Sequence, residues 1–387
     1  MLGIKKGTVL LCDHEVAWEI EAKETIARLK AILGDVAKEI QHVGSTAIPS
    51  IKAKPIVDLA VAVDRFEDVL ALEVPLREAG FYYRPNSKGL RDQILFACGS
   101  NYDGTGDLQT HFIHVVLKNS MEWKNYINFR NYLNANPRAA KEYEDLKIAL
   151  FEQAPEDPGR EKYTAGKHDF VTKTLRDALI YSYETMPPQT DDTLKHYDLL
   201  IDEGNDPVCD PPQLQKYMDQ WDGEAFFDML HLSPNDTVLE LGVGTGRLAL
   251  KIAPKCKDFC GIDVSLKTVK RASEHLQGCK NATVLTGNFI TSPPRKTFDL
   301  IYSSLTFLHI QNKWAAIKTV ASLLKQNGRF VLSVSKDRSE ILDYGTRVLR
   351  VYPDDPREIR ELMTAAGLTL TEEKETEFAY LFGAKKQ

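Results

Sequence analysis

The sequence lacks a cysteine pair of the CxxC kind, and no histidine pair completes a zinc pattern, so it predicts no metal site. Its six cysteines stand apart at positions 12, 98, 209, 256, 260 and 279. It also lacks an apolar run long enough to span a bilayer, and the apolar stretch at its start is too short for a signal peptide. We therefore expect reduced thiols and a cytoplasmic location.

An excess of positive charge is absent as well. The 49 lysines and arginines are outnumbered by 55 acidic residues, which gives a net charge of −6 at pH 7. This balance argues against a broad nucleic-acid surface, although it leaves room for a local basic patch. With 43% hydrophobic and 27% charged residues, the composition is typical of folded globular proteins. A length of 387 residues predicts two domains.

A polar, proline-containing stretch, "SYETMPPQTDDTLKH" from Ser182 to His196, has no hydrophobic period and marks a linker. We predict a first domain over residues 1–183, a linker over 184–193 and a second domain over 194–387, with few contacts across the linker.

The two halves differ in pattern. In the first, "KPIVDLAVAV" and "THFIHVVL" read as strands, and later tracts have helical spacing with Pro137 and Pro158 at helix starts. This predicts an α+β domain with its helices gathered late. In the second, strand and helix signals alternate from "DTVLEL" to "GRFVLSV", which indicates a doubly wound parallel sheet. The chain ends in two strand-like segments joined by a tight turn.

A glycine turn follows the first strand of the second half, in "VLELGVGTGRLAL". Gly242, Gly244 and Gly246 permit positive φ and a close approach of a ligand to the main chain. The G-x-G-x-G spacing differs from the G-x-G-x-x-G of dinucleotide sites. Glu240 at the turn's entrance would repel a pyrophosphate and suits a cation such as the ammonium of an amino acid. Alternatively, the glycines serve only to let the turn pack tightly, without a ligand.

The next two strands end in residues that suit a nucleoside. Asp263 offers acceptors to ribose hydroxyls, although it could instead cap the following helix. Asn288 offers an amide to adenine, and Phe289 offers an apolar ring face. A ligand with a cationic amino-acid end, a ribose and an adenine fits S-adenosylmethionine.

The segments "VLELGVGTGRLA", "GIDVS", "TGNF", "FDLIYSSLTFLHI" and "LLKQNGRFVLS" resemble class I S-adenosylmethionine-dependent methyltransferases. The resemblance implies a Rossmann-like, mostly parallel seven-stranded sheet whose last strand is antiparallel, with Ser303 among the cofactor residues. The family usually has Asp where this chain has Asn288. In the family, the segment before the first strand, here "LQKYMDQWDGEAFF", often covers the cofactor. Its candidates here are Tyr217, Met218 and Trp221, for which core packing is the alternative.

The strand that ends in "IYSSLTFLHI" lacks the [DN]-P-P-[YF] motif of enzymes that methylate base or amide nitrogens, and no Pro-Cys nucleophile is present. The pattern is similar to small-molecule methyltransferases. His309 is a candidate general base, or else a histidine packed against the sheet.

In the first half, Gly44 and Ser45 form a turn before a strand that carries Asp58. Nucleotidyltransferases combine such a turn with two alternate carboxylates that hold metals. Here the alternate position is Ala60, and Asp64 is about 20 Å further along an extended strand, so one carboxylate is missing.

The segments "HVGSTAIPSIKAKPIVDL", "HFIHVV", "FRNYLNANPRAAKEYEDLK" and "KYTAGKHDFV" resemble the GrpB (UPF0157) family, over roughly Trp18 to Leu179. The resemblance implies a nucleotidyltransferase-like fold and a pocket for a nucleotide or phosphate. The matching positions are His42, Gly44, Ser45, Lys54, Asp58, His114, Arg130, Tyr163 and Lys167. Alternatively, Gly44 and Ser45 form an ordinary turn, and Arg130 is a solvated charge on a helix.

Together these patterns predict an S-adenosylmethionine-dependent methyltransferase that acts on a small metabolite and is fused to a GrpB-like domain. The alternative is a nucleotide-binding protein or nucleotidyltransferase whose methyltransferase domain is regulatory or senses the cofactor. The expected partners are a small methyl acceptor and a nucleotide ligand, with neither membrane nor nucleic acid.

Overall fold

The computed structural model describes residues 2–5, 8, 10–85, 92–99, 108–153, 161–189 and 192–387. The chain separates into two compact units, residues 1–182 and 183–387. Within the described ranges, no helix is both long and apolar enough to cross a membrane.

The first unit contains seven strands and seven helices among its described residues, the last helix running two residues beyond it. The strands are β1 (Ile4–Lys5), β2 (Ala37–Val43), β3 (Val57–Val63), β4 (Tyr82–Tyr83), β5 (Gln93–Cys98), β6 (Leu108–Gln109) and β7 (His111–Leu117). The helices are α1 (Val16–Leu33), α2 (Phe66–Leu70), α3 (Glu73–Glu78), α4 (Met121–Ala135), α5 (Pro137–Gln153), α6 (Glu161–Ala165) and α7 (His168–Glu184).

A mixed five-stranded sheet in the order β2-β3-β7-β5-β4 forms the centre of the first unit. Strands β3 and β7 are parallel, and the other neighbours are antiparallel. The apolar residues of β3 are buried on both faces, as expected of a central strand, and Asp58 is its one partly exposed residue. The sheet therefore presents a single carboxylate from this strand at the edge of its core.

Helix α1 corrects the expectation that the helices of this half are gathered late. It comes before the first long strand and buries Trp18, Ala22 and Leu29, which recur at helical spacing. The small and polar residues between them weaken the hydrophobic contrast of this segment in the sequence. Pro137 begins α5 as predicted. The predicted helix start at Pro158 lies outside the described residues.

The second unit alternates strands and helices. Its helices are α8 (Asp192–Asp202), α9 (Pro212–Met229), α10 (Ala249–Ile252), α11 (Leu266–His275), α12 (Lys313–Leu323) and α13 (Pro356–Ala365). Its strands are β8 (Thr237–Leu241), β9 (Asp258–Asp263), β10 (Ala282–Thr286), β11 (Phe298–Ser304), β12 (Leu324–Ser335), β13 (Ile341–Asp343), β14 (Val348–Arg350), β15 (Leu368–Glu375) and β16 (Ala379–Lys386).

Seven of these strands form one sheet in the order β10-β9-β8-β11-β12-β16-β15. The first five run parallel, and β16 is antiparallel to both of its neighbours. The predicted Rossmann-like sheet with an antiparallel last strand is therefore confirmed. The chain order reverses between β8 and β11, and in such sheets ligands bind beyond the carboxyl ends of the strands at this point.

The predicted linker is partly structured. Helix α7 continues to Glu184, and α8 begins at Asp192, so the last two positions of the linker are helical. The Tyr183 hydroxyl donates to Glu358 at 2.7 Å, and Asn312 donates to the carbonyl oxygen of Tyr183 at 2.9 Å. A fragment that starts near Thr193 would lose these contacts within the second unit. The boundaries 184 and 193 stay a prediction.

Candidate functional site

The glycine turn after β8 is held in a conformation that requires glycine. Gly242 has a φ of 75°, and a Cβ atom there would lie 2.1 Å from the Thr306 hydroxyl oxygen. Gly244 and Gly246 have φ values of 57° and 98°, which L side chains rarely adopt. The backbone N–H of Gly242 donates to the carbonyl oxygen of Ile262 at 2.9 Å, which fixes the turn against β9.

A cavity of about 470 Å³ opens beside this turn, and we call it the glycine-loop cavity. It lies at the carboxyl ends of β8, β9, β10 and β11, where the doubly wound topology predicts a ligand site. The residues predicted from the sequence that line it are Glu240, Gly242, Gly244, Asp263, Asn288, Phe289, Met218 and His309. The fold therefore brings together residues that are up to 91 positions apart.

Glu240 is the buried acidic residue of this cavity. Its side chain is only 3% exposed, and one carboxylate oxygen accepts a hydrogen bond from the Tyr302 hydroxyl at 2.8 Å. Burial raises the pKa of Glu240 to about 8, although Tyr302 and Arg247 favour the ionised form. Arg247 also lines the cavity, and it pairs with Asp219 at 3.2 Å and with the fully buried Asp222. A ligand cation beside Glu240 would favour its ionised form.

Asp263 stands at the end of β9 with its carboxylate already oriented. One oxygen accepts from the Gly244 N–H at 3.1 Å, and the other accepts from the Ser265 N–H at 3.0 Å. Burial raises the pKa of Asp263, and these backbone donors partly offset the rise. Ser265, not Asp263, caps α11, because its hydroxyl accepts from the Thr268 N–H at 3.1 Å. Asp263 therefore bridges the glycine turn and the cavity.

The two residues expected near an adenine differ in their surroundings. Phe289 is buried at 7% exposure and presents its ring to the cavity. Asn288 is exposed, and its side-chain oxygen accepts from the Ile290 N–H at 2.9 Å in an Asx turn. The side-chain oxygen of Asn288 therefore already uses one of its two lone pairs within the turn.

Not every predicted cofactor residue reaches the cavity. Ser303 is fully buried and donates to the carbonyl oxygen of Leu241 at 3.0 Å, so it joins β11 to β8 instead of facing a ligand. Gly246 packs toward Ala272 and is not among the lining residues. Three residues were candidates to cover the cofactor. Of these, Met218 lines the cavity, whereas the ring of Trp221 stacks on Phe378 with 5.1 Å between the ring centroids.

The third lid candidate, Tyr217, also packs on Phe378, at 5.7 Å, and is 46% exposed. Tyr217 and Trp221 therefore contact Phe378 and are not among the residues that line the cavity. Both rings lie on α9, where the aromatic spacing is helical.

His309 lines the cavity on the side of the loop that follows β11. Its Nε2 is 2.8 Å from the Tyr197 hydroxyl, and among the described residues its buried Nδ1 has no hydrogen-bond partner. Burial, with His196 and Lys313 nearby, lowers the pKa of His309 to about 4. The imidazole is therefore neutral at pH 7. The expectation of a base that titrates near neutral pH is not met by this environment.

The first unit has a smaller pocket of about 150 Å³, which we call the lysine pocket. Its lining residues are Ser45, Lys54, Ile56, Asp58, Phe112, Lys147, Tyr163 and Lys167. Two ammonium groups flank the Tyr163 ring, Lys54 at 3.9 Å and Lys167 at 4.6 Å from its centroid. Such cation–π contacts hold the lysines beside the pocket without neutralising their charge.

Lys147 is the third lysine of this pocket and is only 2% exposed. Its ammonium group donates to the carbonyl oxygen of Lys52 and lies 4.7 Å from the centroid of the Tyr143 ring. Burial, reinforced by the charge of Lys167, lowers the pKa of Lys147 to about 7. An anion in the pocket would restore the charged form, because it would offset the cost of desolvation.

Asp58 lines the pocket, and His114 contacts Asp58 without lining the pocket itself. The carboxylate is 3.3 Å from His114 Nε2, and the other ring nitrogen is 2.9 Å from the Tyr126 hydroxyl. Gly44 lies against this carboxylate, since a Cβ atom there would be 2.5 Å from an Asp58 oxygen. Asp64 pairs with Lys38 at 3.1 Å, outside the pocket. The described residues therefore place one carboxylate in the pocket, not a metal-binding pair.

His42 and Arg130 do not line the lysine pocket. Arg130 donates to the carbonyl oxygen of His42 at 2.7 Å, and His42 Nε2 is 2.9 Å from the Thr46 hydroxyl. Burial lowers the pKa of His42 to about 4. These two residues therefore support the turn at Ser45 from behind, and Arg130 is more than a solvated charge.

The family model described as GrpB protein matches residues 8–177. Glutamate-rich protein GrpB of Alkalihalophilus pseudofirmus is 38% identical over 178 residues, which are 46% of this chain and 99% of that protein. The chain belongs to the GrpB family. The resemblance of the first half to this family is therefore confirmed, and the lysine pocket lies in the GrpB domain.

The family model described as Methyltransferase domain matches residues 214–373, so the second unit contains a methyltransferase domain. An uncharacterized methyltransferase of Anoxybacillus flavithermus is 28% identical over 191 residues, 45% of this chain and 89% of that protein. The crystal structure of magnesium protoporphyrin IX methyltransferase from Synechocystis PCC 6803 with bound SAM is 18% identical, with a TM-score of 0.42. That similarity covers 52% of this chain and 100% of that chain.

Lys147, Tyr197 and Arg247 are among the residues at these sites that were not predicted from the sequence. Lys147 interrupts the buried face of α5, where Ala140 and Tyr143 precede it at helical spacing, and a lysine at such a position is a usable signal. Tyr197 and Arg247 line the glycine-loop cavity. Arg247 directly follows the glycine turn, but Tyr197 lies in α8, whose position beside the cavity depends on tertiary structure.

Proposed function

We propose that the methyltransferase domain binds S-adenosylmethionine in the glycine-loop cavity and methylates a small-molecule acceptor. A volume of about 470 Å³ falls within the roughly 300–1,000 Å³ of small-molecule sites. The observation that carries the proposal is the buried Glu240 beside a glycine turn that leaves room for the ligand. This combination suits a ligand that brings its own positive charge.

The methionine end of the cofactor would lie against the glycine turn. Its ammonium group would pair with the Glu240 carboxylate, which in the free cavity has a pKa of about 8 because of burial. The pairing would ionise Glu240 and release a proton near neutral pH. Arg247 lines the same end and offers a guanidinium group to the cofactor carboxylate.

The nucleoside end would extend toward β9 and β10. Asp263 would accept the ribose hydroxyls with a carboxylate that Gly244 and Ser265 already orient. Phe289 would cover one face of the adenine. Since the side-chain oxygen of Asn288 is engaged in its own turn, its contribution to adenine recognition would come from its side-chain amide hydrogens.

In methyl transfer, the acceptor's lone pair forms a bond to the methyl carbon while the carbon–sulfur bond breaks. The sulfonium becomes the neutral sulfide of S-adenosylhomocysteine, and any acceptor proton leaves to a base or to water. Alignment and desolvation supply most of the rate enhancement. With a pKa of about 4, His309 would mainly position the acceptor through its unpaired Nδ1, and it would remove a proton only as the methyl arrives.

The direct test is to incubate the full chain with S-adenosylmethionine and a fractionated metabolite extract and to measure S-adenosylhomocysteine. We expect product that depends on both the protein and the extract. Glu240→Gln should abolish most of the product, whereas Glu224→Gln, an exposed acid on α9, should not. Cofactor binding without turnover in every fraction would favour the cofactor-sensor alternative.

For the GrpB domain we propose a phosphate-bearing ligand in the lysine pocket. Three lysines and the Ser45 turn converge on a volume of about 150 Å³. This volume is below the roughly 300 Å³ that a drug-sized ligand requires, so the pocket suits a phosphate group better than a whole nucleotide. The single carboxylate, Asp58, gives no metal pair for nucleotidyl transfer, which favours binding over catalysis.

Calorimetry of the full chain with inorganic phosphate and with a nucleoside triphosphate tests this proposal. Because the ligand would charge Lys147, binding near pH 8 should take up a proton. Lys147→Gln should remove the uptake and weaken binding. Lys141→Gln, on the exposed side of the same helix, is the control. Phosphate binding with no proton uptake, or equal binding by both variants, would contradict the proposal.

A further inference from the structure

A second group of chemically active side chains lies in the second unit, outside the glycine-loop cavity. It consists of Asp206 and Cys209, in the segment between α8 and α9, and His275, the last residue of α11. Their ligand atoms all lie within 4.8 Å of one another. Among the described residues this is the group that combines carboxylate, thiol and imidazole in this way. Because His275 is 66 positions beyond Cys209, the two residues do not form a zinc-binding spacing in the sequence.

The distances in this group match those of a tetrahedral metal site. Zinc bonds of about 2.3 Å to sulfur and about 2.1 Å to nitrogen or oxygen require S···N of about 3.6 Å and N···O of about 3.4 Å. The structure has Cys209 Sγ at 3.7 Å from His275 Nε2, and Asp206 Oδ2 at 3.4 Å from the same nitrogen. The three ligand atoms therefore need little rearrangement to share one ion.

The imidazole is held in the tautomer that a metal requires. His275 Nδ1 lies 2.8 Å from the carbonyl oxygen of Thr245. Because a carbonyl oxygen only accepts, Nδ1 carries the proton, and Nε2 is the nitrogen that faces Cys209 and Asp206. Metal-bound histidines commonly make this second contact, which fixes the ring orientation.

The carboxylate is oriented in a comparable way. Asp206 is only 8% exposed, and its Oδ1 accepts from the Val208 N–H at 3.2 Å. Its buried Oδ2 faces the group, 3.4 Å from His275 Nε2 and 3.4 Å from Arg271 Nε. A buried carboxylate is stabilised by nearby positive charge, so a bound cation would add to the stabilisation that Arg271 provides.

We propose that Asp206, Cys209 and His275 bind a zinc ion, with a water molecule as the fourth ligand. Oxygen, sulfur and nitrogen donors together suit zinc better than magnesium or calcium, which prefer oxygen alone. Cys209 is exposed, so an ion has access from solvent. This proposal differs from the sequence expectation that the protein has no metal site.

The site would join two segments beside the glycine-loop cavity. Pro207, between two of the ligands, lines that cavity, and so does Thr245, whose carbonyl oxygen holds His275. Zinc would therefore fasten the segment before α9 to α11 and to the glycine turn. Arg271, with Nε 3.4 Å from Asp206 Oδ2, also faces this carboxylate and would compete with the ion for it.

The experiment uses the full chain after treatment with a chelator, titrated with Zn²⁺ against a chromogenic competitor. We expect one zinc per chain. Cys209→Ser and His275→Ala should each weaken binding at least about tenfold, because even changes to residues behind the ligands cost about 10–100-fold. Cys279→Ser and His231→Asn alter a cysteine and a histidine elsewhere in the unit and should leave binding unchanged.

Cobalt gives a readout that does not depend on affinity or activity. Co²⁺ bound through Cys209 should show a thiolate charge-transfer band, which Cys209→Ser removes and Cys279→Ser retains. Arg271→Gln should tighten zinc binding several-fold, because it removes a positive charge 3.4 Å from Asp206. Absence of stoichiometric zinc binding, or zinc binding that survives both ligand variants, would overturn the proposal.

Discussion

Each unit buries an acidic or a basic side chain beside its cavity, and the ionised forms of these two side chains have opposite charge. Glu240 is 3% exposed in the methyltransferase domain, and Lys147 is 2% exposed in the GrpB domain. Burial moves their pKa values in opposite directions, to about 8 for Glu240 and about 7 for Lys147. The same penalty on charge therefore leaves each group partly or mostly neutral at pH 7.

The opposite charges of Glu240 and Lys147 indicate which class of ligand each site favours. A ligand restores the ionised form only if it has the opposite charge, so the acid-containing cavity selects a cation and the lysine pocket selects an anion. Neither side chain is left without local partners, since Tyr302 donates to Glu240 and the carbonyl oxygen of Lys52 accepts from Lys147. The comparison rests on burial and local contacts within each unit.

The largest loss of cofactor affinity is expected when a side chain fills the space at the glycine turn. Gly242→Arg should abolish S-adenosylmethionine binding, because a Cβ atom at this position lies 2.1 Å from the Thr306 hydroxyl and the longer side chain would displace the ligand. Gly345→Arg is a matched control, since Gly345 has the same φ of 75° but open space around it. Calorimetry that finds full affinity in Gly242→Arg would place the cofactor elsewhere.

The two buried charges should give opposite pH dependences of stability. A raised glutamate pKa makes the folded state hold a proton that the unfolded state loses. The free energy of unfolding of the second unit should therefore fall by a few kcal/mol as pH rises from about 4.5 to 8. Glu240→Gln should remove most of this slope, as measured by denaturant titration at several pH values.

The depressed pKa of Lys147 has the reverse consequence. Below pH 7 the folded state bears the full cost of burying the charged Lys147. This cost is relieved as the pH rises toward 10.5, the ordinary pKa of lysine. The free energy of unfolding of the first unit should thus rise over this range, and Lys147→Gln should flatten the rise. Parallel slopes in both units, or slopes unchanged by the variants, would contradict the comparison.

A smaller effect is expected at the end of β9. Asp263→Ala should weaken S-adenosylmethionine binding by about 1–3 kcal/mol, because the ribose hydroxyls lose their acceptor and the Gly244 N–H loses its partner. Asp258→Ala changes the first residue of the same strand, whose carboxylate pairs with Lys296 at 2.6 Å away from the cavity. Equal affinities of these two variants would remove Asp263 from the site.

The smallest effect is expected from the other unit. Asp58→Ala alters the lysine pocket, and we expect its S-adenosylmethionine affinity to stay within about twofold of the unchanged protein, since separate sites should add independently. Calorimetry with both proteins at one pH measures this directly. A large loss of cofactor affinity would show that the two units share a site.

Much of the methyltransferase site could be predicted because its signals are local. The glycine turn, Asp263 and Phe289 each lie at or within three residues of the end of a strand, and parallel strands bring such positions to one edge of the sheet. Ser303 also lies near the end of a strand, but its side chain bonds to Leu241 of the neighbouring strand. Which side of a strand end faces the ligand depends on register, which the local sequence does not specify.

Other features depended on contacts between distant segments. Lys147 becomes a pocket residue only when α5 packs its buried face, and His275 meets Cys209 across 66 positions. Helix α8 was partly assigned to the linker because its polar start masks the apolar spacing that follows. The positions missed are therefore those whose role arises from packing between elements.

The number of protons released when S-adenosylmethionine binds tests whether the cofactor ionises the buried Glu240. Calorimetry at pH 7 in two buffers of different ionisation enthalpy would measure it for the full chain and for Glu240→Gln. We expect the unchanged protein to release up to about one proton, because the ligand's ammonium ionises Glu240, and the variant to release almost none. Binding without proton release, or equal release by both proteins, would contradict it.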